Sequence, residues 1–152
     1  MKTIEAKLAN FFKKEPDVVG AFIYGSYAKG KQTNTSDIDI AILTKNKLTR
    51  KESTEKRIQY SLSLSKLLKK NVDVVLLRHA PLLLRFNIFK EGKKVYAADR
   101  EMVTCFTARA IVEYLDFKPL EDFFFDNMIK KMKERLSSKY SCSKKENKQY
   151  QT

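Results

Sequence analysis

Between Gly25 and Asp39 the chain reads G-S-Y-A-K-G-K-Q-T-N-T-S-D-I-D, so a Gly25-Ser26 pair is followed, after ten residues, by Asp37 and Asp39. The apolar run before the pair, residues 18–24, and the D-I-D-I-A-I-L run, residues 37–43, both read as strands. Strand period two then points Asp37, Asp39 and Ala41 to one face. Two carboxylates side by side on a strand make a hard oxygen site suited to Mg²⁺, which keeps several waters and takes its remaining ligands from substrate phosphates. A third acid, Asp73, alternates with Val72 and Val74 in a further strand, residues 71–77. An acid in an apolar strand is costly unless it has a partner or a metal.

Nucleotidyl transfer needs an activated attacking hydroxyl, a neutralised α-phosphate and a stabilised pyrophosphate leaving group. Two Mg²⁺ ions about 3.5–4 Å apart serve all three needs. Asp37 and Asp39 are the candidates to hold both ions. Asp73, once its strand lies beside theirs, would complete the ion nearer the hydroxyl and help to take its proton. Gly25 permits close backbone approach to a triphosphate. The Ser26 hydroxyl and the amides of a short helical turn can donate to phosphate oxygens, and Lys29 adds a positive charge.

Each feature also has an ordinary reading. A lone D-x-D on a strand is more often two exposed acids, and the combination with Gly25-Ser26, apolar strands and a third acid is what favours chemistry here. Asp73 alone could be a surface acid on an edge strand. Ser26 could cap the short helix. Tyr24 and Tyr27 read as core aromatics, Arg78 and Arg85 as solvated helix arginines, and His79, the only histidine, as a loop residue. The run Phe123 to Phe125 reads as core or as a dimer or partner contact.

The elements that must position these residues follow from periodicity. A helix over residues 2–14 ends at Glu15-Pro16-Asp17. The spacing of Ile58, Leu62, Leu64, Leu67 and Leu68 predicts an amphipathic helix over 50–70, stopped near Asn71. Pro81 opens a helix to about Lys90. Residues 93–98 form a short edge strand guarded by lysines. Helices over 99–116 and 119–136 are separated at Pro119. The fold class is therefore α/β (α+β): a mixed sheet of about four strands with flanking helices and a helical C-terminus. At 152 residues the chain suits one domain over 1–136, with its core at 18–98 and C-terminal helices at 99–136. Residues 137–152 are expected to form a basic, disordered tail.

Thirty-one basic residues against 18 acidic give a net charge of +13, of which the tail supplies +3, so anionic partners are favoured. No apolar run approaches a membrane span, and the start lacks a signal core. Cys105 and Cys142 are far apart and belong to no C-x-x-C or Cys/His cluster, which reads as free thiols in a reducing cytoplasm.

In G-S-(ten residues)-D-I-D with a separate strand aspartate downstream, the chain resembles the minimal nucleotidyltransferase (MNT) family of the DNA polymerase β-like superfamily. The segment A-P-L-L-L-R-F-N-I-F-K-E-G-K-K-V-Y, Ala80 to Tyr96, is similar to the one that follows the third acid in MntA-type antitoxins, the partners of HEPN-domain toxins. The resemblance spans residues 18–98. It implies a triphosphate-binding turn at Gly25 and Ser26, the two-metal pair at Asp37 and Asp39, and the third acid at Asp73. Lys29 stands where many relatives have arginine, which keeps the charge without the bidentate geometry. Such antitoxins transfer AMP from ATP to a tyrosine of the toxin and block its RNase activity. The resemblance implies the same here, with ATP as donor, two Mg²⁺ ions and a HEPN-domain partner in the cytoplasm. A homodimer or a hetero-oligomer with the toxin is compatible with it, and direct nucleic-acid binding is less favoured. Two other readings stay open: nucleotide transfer to a small hydroxylated molecule of the aminoglycoside type, and a non-catalytic module that binds toxin or nucleic acid.

Overall fold

The computed structural model describes residues 3–146, with side chains described as far as residue 138. The elements run α1 (Ile4–Phe12), β1 (Val18–Tyr24), α2 (Gly25–Ala28), β2 (Ile38–Thr44), α3 (Arg50–Leu68), β3 (Val72–Leu76), α4 (Leu82–Glu91), β4 (Lys93–Ala97) and α5 (Arg100–Glu146). The strands form one four-stranded mixed sheet in the order β3-β2-β1-β4. β1 runs antiparallel to both β2 and β4, whereas β2 and β3 are parallel. A parallel pair cannot be joined by a tight turn, and α3 is the crossover that links β2 to β3.

Local chemistry sets the ends of these helices. The Thr3 hydroxyl accepts from the Ala6 amide at 3.3 Å and starts α1. Thr49 and Glu52 form a reciprocal capping box that starts α3. Lys69 closes α3 in the left-handed conformation, φ 54°, two residues before the expected stop at Asn71. The buried stripe of α3 is Tyr60, Leu64 and Leu68, while Ile58 and Leu62 are exposed. Leucines spaced two apart cannot share one helical face, so strict i, i+4 spacing with Tyr60 wins.

The central strands are buried on both faces, which is why they read as nearly continuous apolar runs. On one face Ile38, Ile40, Ile42, Val72 and Val74 pack against Leu8 and Phe12 of α1 and Tyr60, Leu64 and Leu68 of α3. On the other, Val19, Phe22, Ala41 and Leu43 meet Ile88 of α4 and Val103 of α5. Each side chain buried this way contributes about 1.5–3 kcal/mol relative to exposure. Because alternate residues share a face, Asp39 lies on the side of Ala41 and Leu43.

The chain divides into two compact units, Met1–Tyr114 and Leu115–Thr152, so the boundary falls within the segment that the sequence assigns to C-terminal helices. The expected break at Pro119 is absent: Pro119 lies inside α5, which runs on past residue 137 to Glu146. The first part of the expected disordered tail is thus helical, and residues 147–152 lie outside the described residues. A helical proline forfeits the bond to the carbonyl four residues earlier, here Leu115, the first residue of the second unit. Among the described residues no helix is long and apolar enough to cross a membrane.

α5 approaches β1 closely at Gly20, where an added Cβ would lie 2.7 Å from Val103 Cγ2. Gly20→Ala is expected to destabilise the protein by about 1–3 kcal/mol in urea unfolding. In a double-mutant cycle Val103→Ala should relieve part of that cost, giving a coupling of about 0.5 kcal/mol or more. Additive losses would mean that the helix does not rest on Gly20.

Candidate active site

β1 ends at Tyr24 directly opposite the start of β2, with Tyr24 paired to Asp39 in the antiparallel register. On the other side of β2, Asp39 stands level with Asp73 of β3 in the parallel register. The two carboxylates therefore occupy neighbouring positions on the same face and at the same end of the sheet. Asp39 is half-buried, and Asp73, on an edge strand, is exposed. Asp37 falls just before β2, one residue outside the strand expected from 37, and is exposed. The turn before it is tied down: the Thr33 amide donates to Ser36 Oγ at 2.8 Å and the Ser36 amide to the Thr33 carbonyl at 3.1 Å. The Ile38 amide then donates to the Asn71 carbonyl at 3.0 Å, which fixes the start of β2 against β3.

Gly25 follows Tyr24 with φ +69°, a conformation that side chains rarely adopt, and a Cβ there would collide with the Asp39 carboxylate. The backbone at Gly25 thus passes directly over Asp39 because Gly25 has no side chain. The one-turn helix α2 starts at Gly25, and its first amides have no partner within the helix. Ser26 is half-buried inside α2, and the cap position belongs to Tyr24, which makes no side-chain capping bond. Lys29 ends α2 and forms an ion pair with Glu91 of α4 at 2.5 Å. A cavity of about 250 Å³ opens here, lined by Tyr24, Gly25, Lys29, Asn87, Ile88 and Glu91.

The electrostatics show how close the acids are. Asp39 has its pKa raised, first by burial and then by the charges of Asp73 and Asp37. The Tyr24 hydroxyl is pushed up to about 12 by burial and by Asp39 and Asp73. Among the described residues, no lysine or arginine pairs with any of the three acids. Nor do three acidic, histidine or cysteine side chains converge there into a complete metal-binding cluster. The donor set still fits a hard divalent cation whose other ligands are water and phosphate: it offers only carboxylate oxygens, they are partly solvated, and no basic side chain among the described residues forms an ion pair with them.

Sequence reasoning missed Asn87 and Glu91, which α4 presents to the cavity one turn apart; their i, i+4 spacing after the third acid was the available signal. The two arginines are not solvated helix residues. Arg78 lies in the turn after β3, donates to the carbonyls of Thr44 at 2.8 Å and Lys45 at 3.0 Å, and stacks over Phe106. Arg85 pairs with Glu113 at 3.5 Å, and its Nε is buried without a partner. Both spend their charge inside the fold. His79 occupies the turn after β3, and Cys105 is a free, exposed thiol. The Cys142 side chain lies outside the described residues.

A mixed four-stranded sheet with helices on both faces and a long C-terminal helix is a nucleotidyltransferase fold of the DNA polymerase β-like kind. The chain belongs to the family described as Polymerase beta, Nucleotidyltransferase, whose profile matches residues 6–101. Over 80 residues it is 32% identical to the protein adenylyltransferase MntA of Shewanella oneidensis, a match covering 53% of this chain and 55% of that protein. The match thus spans about half the length of that curated relative. A chain of a toxin–antitoxin complex solved with AMP-PNP superposes with a TM-score of 0.71 at 25% identity, over 82% of this chain and 98% of the other. A chain from the complex of a tri-AMPylated Shewanella oneidensis HEPN toxin with an MNT antitoxin shares the fold, with a TM-score of 0.66 at 23% identity over 83% and 96% of the two chains.

Burial, and after it the charges of Asp73 and Asp37, raise the pKa of Asp39, and both cost stability. A carboxyl whose folded pKa is raised contributes most below its ordinary pKa, and that contribution is lost as pH rises through the folded value. At neutral pH the penalty is therefore fully present. Asp39→Asn is expected to raise Tm by a few degrees, roughly 2–4 °C, in metal-free buffer at pH 7 and to change it little at pH 3. Millimolar Mg²⁺ should raise the Tm of the natural chain and not of the variant. A variant no more stable than the natural chain at pH 7 would show that neither burial nor the neighbouring acids penalise the Asp39 charge.

Proposed function

We infer that the protein is a Mg²⁺-dependent adenylyltransferase that moves AMP from ATP to a tyrosine hydroxyl of a HEPN-domain toxin and so neutralises it. The observation that carries this reading is the register that sets Asp39 beside Asp73, with Asp37 at the same end of the sheet and the Gly25 backbone passing over Asp39. Family membership supports the reaction class. The name of the Shewanella relative and the AMPylated toxin in a structural neighbour support the donor and the acceptor.

In this reading Asp37, Asp39 and Asp73 are the residues that would hold the metal ions. Bound there, Mg²⁺ would neutralise phosphate charge and lower the pKa of the attacking hydroxyl. The chain's own residues do the positioning. The bare Gly25 backbone lets a triphosphate come close to Asp39, and the amides at the start of α2 with the Ser26 hydroxyl donate to its oxygens. Lys29 exchanges Glu91 for phosphate. Asp73, the exposed strand acid, would accept the proton of the tyrosine hydroxyl as its oxygen bonds to the α-phosphorus and the α–β phosphoanhydride bond breaks to release pyrophosphate. The two fixed strands keep these groups in place without a conformational search.

Incubating the chain with ATP, Mg²⁺ and a HEPN-domain toxin should add one or more AMP units to a toxin tyrosine, read by intact mass. Asp39→Ala and Asp73→Asn are expected to slow transfer by about 10²–10⁴-fold while the protein stays folded. Neutralisation that survives in Asp39→Ala with no AMP transferred would replace the enzyme with a binding module. Glu91→Gln frees Lys29 from its exposed ion pair and is expected to lower the KM for ATP about two- to threefold, with kcat little changed. An unaltered KM would remove Lys29 from the nucleotide site.

A further inference from the structure

Along the second unit, Leu120, Phe124, Met128, Met132 and Leu136 recur every four residues on α5, each between 46% and 62% exposed. An apolar row of this length facing water marks an interaction surface. The row is symmetric about Met128. If a second copy lies antiparallel with the two-fold axis at Met128, Phe124 meets Met132, Leu120 meets Leu136 and Met128 meets itself. A surface that maps onto itself in this way is what an isologous dimer contact requires.

The charges obey the same symmetry. Glu121 precedes Met128 by seven residues and Arg135 follows it by seven, close to two helical turns each way, so both border the row. The antiparallel arrangement puts Glu121 opposite Arg135 twice. The wider pattern agrees: residues 115–127 carry Asp116, Glu121, Asp122 and Asp126 against Lys118, a net −3. Residues 128–138 carry Lys130, Lys131, Lys133 and Arg135 against Glu134, a net +3. A parallel pair would set like charge on like, and an antiparallel pair sets acid on base. The one like-charged match, Asp122 with Glu134, is softened because Lys118 already pairs with Asp122 at 3.0 Å. A groove of about 380 Å³ lined by Phe124, Asn127, Met128, Lys131, Met132 and Arg135 provides room for the apolar side chains of the second copy.

We propose that α5 is a homodimerisation helix: the Leu120 to Leu136 row of one chain packs antiparallel on the same row of a second copy, centred on Met128 and bordered by two Glu121–Arg135 pairs. A row at i, i+4 spacing is inclined to the helix axis, so the two helices cross obliquely, unlike a coiled coil. The interface involves no residue of the candidate site and is independent of the reaction proposed above.

Sedimentation equilibrium of the full chain, without any toxin, tests the proposal. The expected mass is twice the 17.7 kDa of one chain. Met128→Asp, which places two carboxylates face to face on the axis, should give the monomer mass with an unchanged helical circular dichroism signal. Glu121→Arg should raise the dimer dissociation constant about tenfold by replacing two attractions with two repulsions, and Glu121→Arg with Arg135→Glu should restore it to within about threefold. That rescue is specific to the antiparallel register. A natural chain that keeps the monomer mass at about 100 µM, or that gains mass only with a HEPN protein present, overturns the proposal. So does a dimer that Glu121→Arg weakens and the double exchange fails to restore.

Discussion

The parallel register of β2 on β3 is the constraint on which the candidate site depends. It sets Asp39 level with Asp73, and a slip of one residue would turn one of the two acids to the opposite face, among the isoleucines of the α1 and α3 side. Several contacts hold that register. The Ile38 amide bonds the Asn71 carbonyl. From α3, the Ser61 hydroxyl donates to the Val72 carbonyl at 2.5 Å, and the Val72 amide donates to Ser65 Oγ at 3.1 Å. Two serines on the inward side of a helix are poor choices for a dry core. Here they tie down an edge strand one residue before Asp73, where no further strand could do so.

What the register brings together is electrostatically unfavourable, and this separates the site from the rest of the molecule. The chain carries +13 overall, yet Asp37, Asp39 and Asp73, at one end of the sheet, have no basic partner among the described residues. Arg78 and Arg85, close in sequence, are committed to backbone carbonyls, Phe106 and Glu113. Lys29 is held by Glu91 at the cavity beside the Gly25 turn. Negative charge is thus left uncompensated where a cation would sit, and positive charge is kept within reach of where an anion would sit. A metal–nucleotide pair matches both.

The sequence made the sheet legible for a simple reason: period two is a local signal, and buried strands with acids at their ends are rare. Residues 18–24, 37–43 and 71–77 therefore marked three strands to within two residues, and the face shared by Asp39 and Ala41 followed directly, whereas Asp37 falls just before β2. What it did not show depends on contacts between distant residues. The inward stripe of α3 turned out to be Tyr60, Leu64 and Leu68 because Phe12 and the strand isoleucines select it. The part played by Asn87 and Glu91 depends on where α4 lands beside Gly25. Pro119 looked like a boundary because its missing amide is a local cost, which the continuous helix on either side outweighs.

In the reaction proposed above, the requirements of donor and acceptor fall on different parts of the molecule. The groups suited to hold a metal–triphosphate all lie on β1, α2, the start of β2, β3 and the end of α4, within the matched residues 6–101. None of them chooses a hydroxyl. Asp37 and Asp73 are exposed, so the acids can be reached from solvent by an acceptor far larger than a sugar. A side-chain hydroxyl on a folded protein needs that openness, because its own backbone must come along, whereas a small hydroxylated molecule is better held in an enclosed pocket. The cavity at the Gly25 turn is lined by Lys29 and Glu91 and by none of the three acids, so Asp73 stands outside it. An edge strand that carries its acid into open solvent is consistent with a macromolecular acceptor that itself supplies the missing wall of the site.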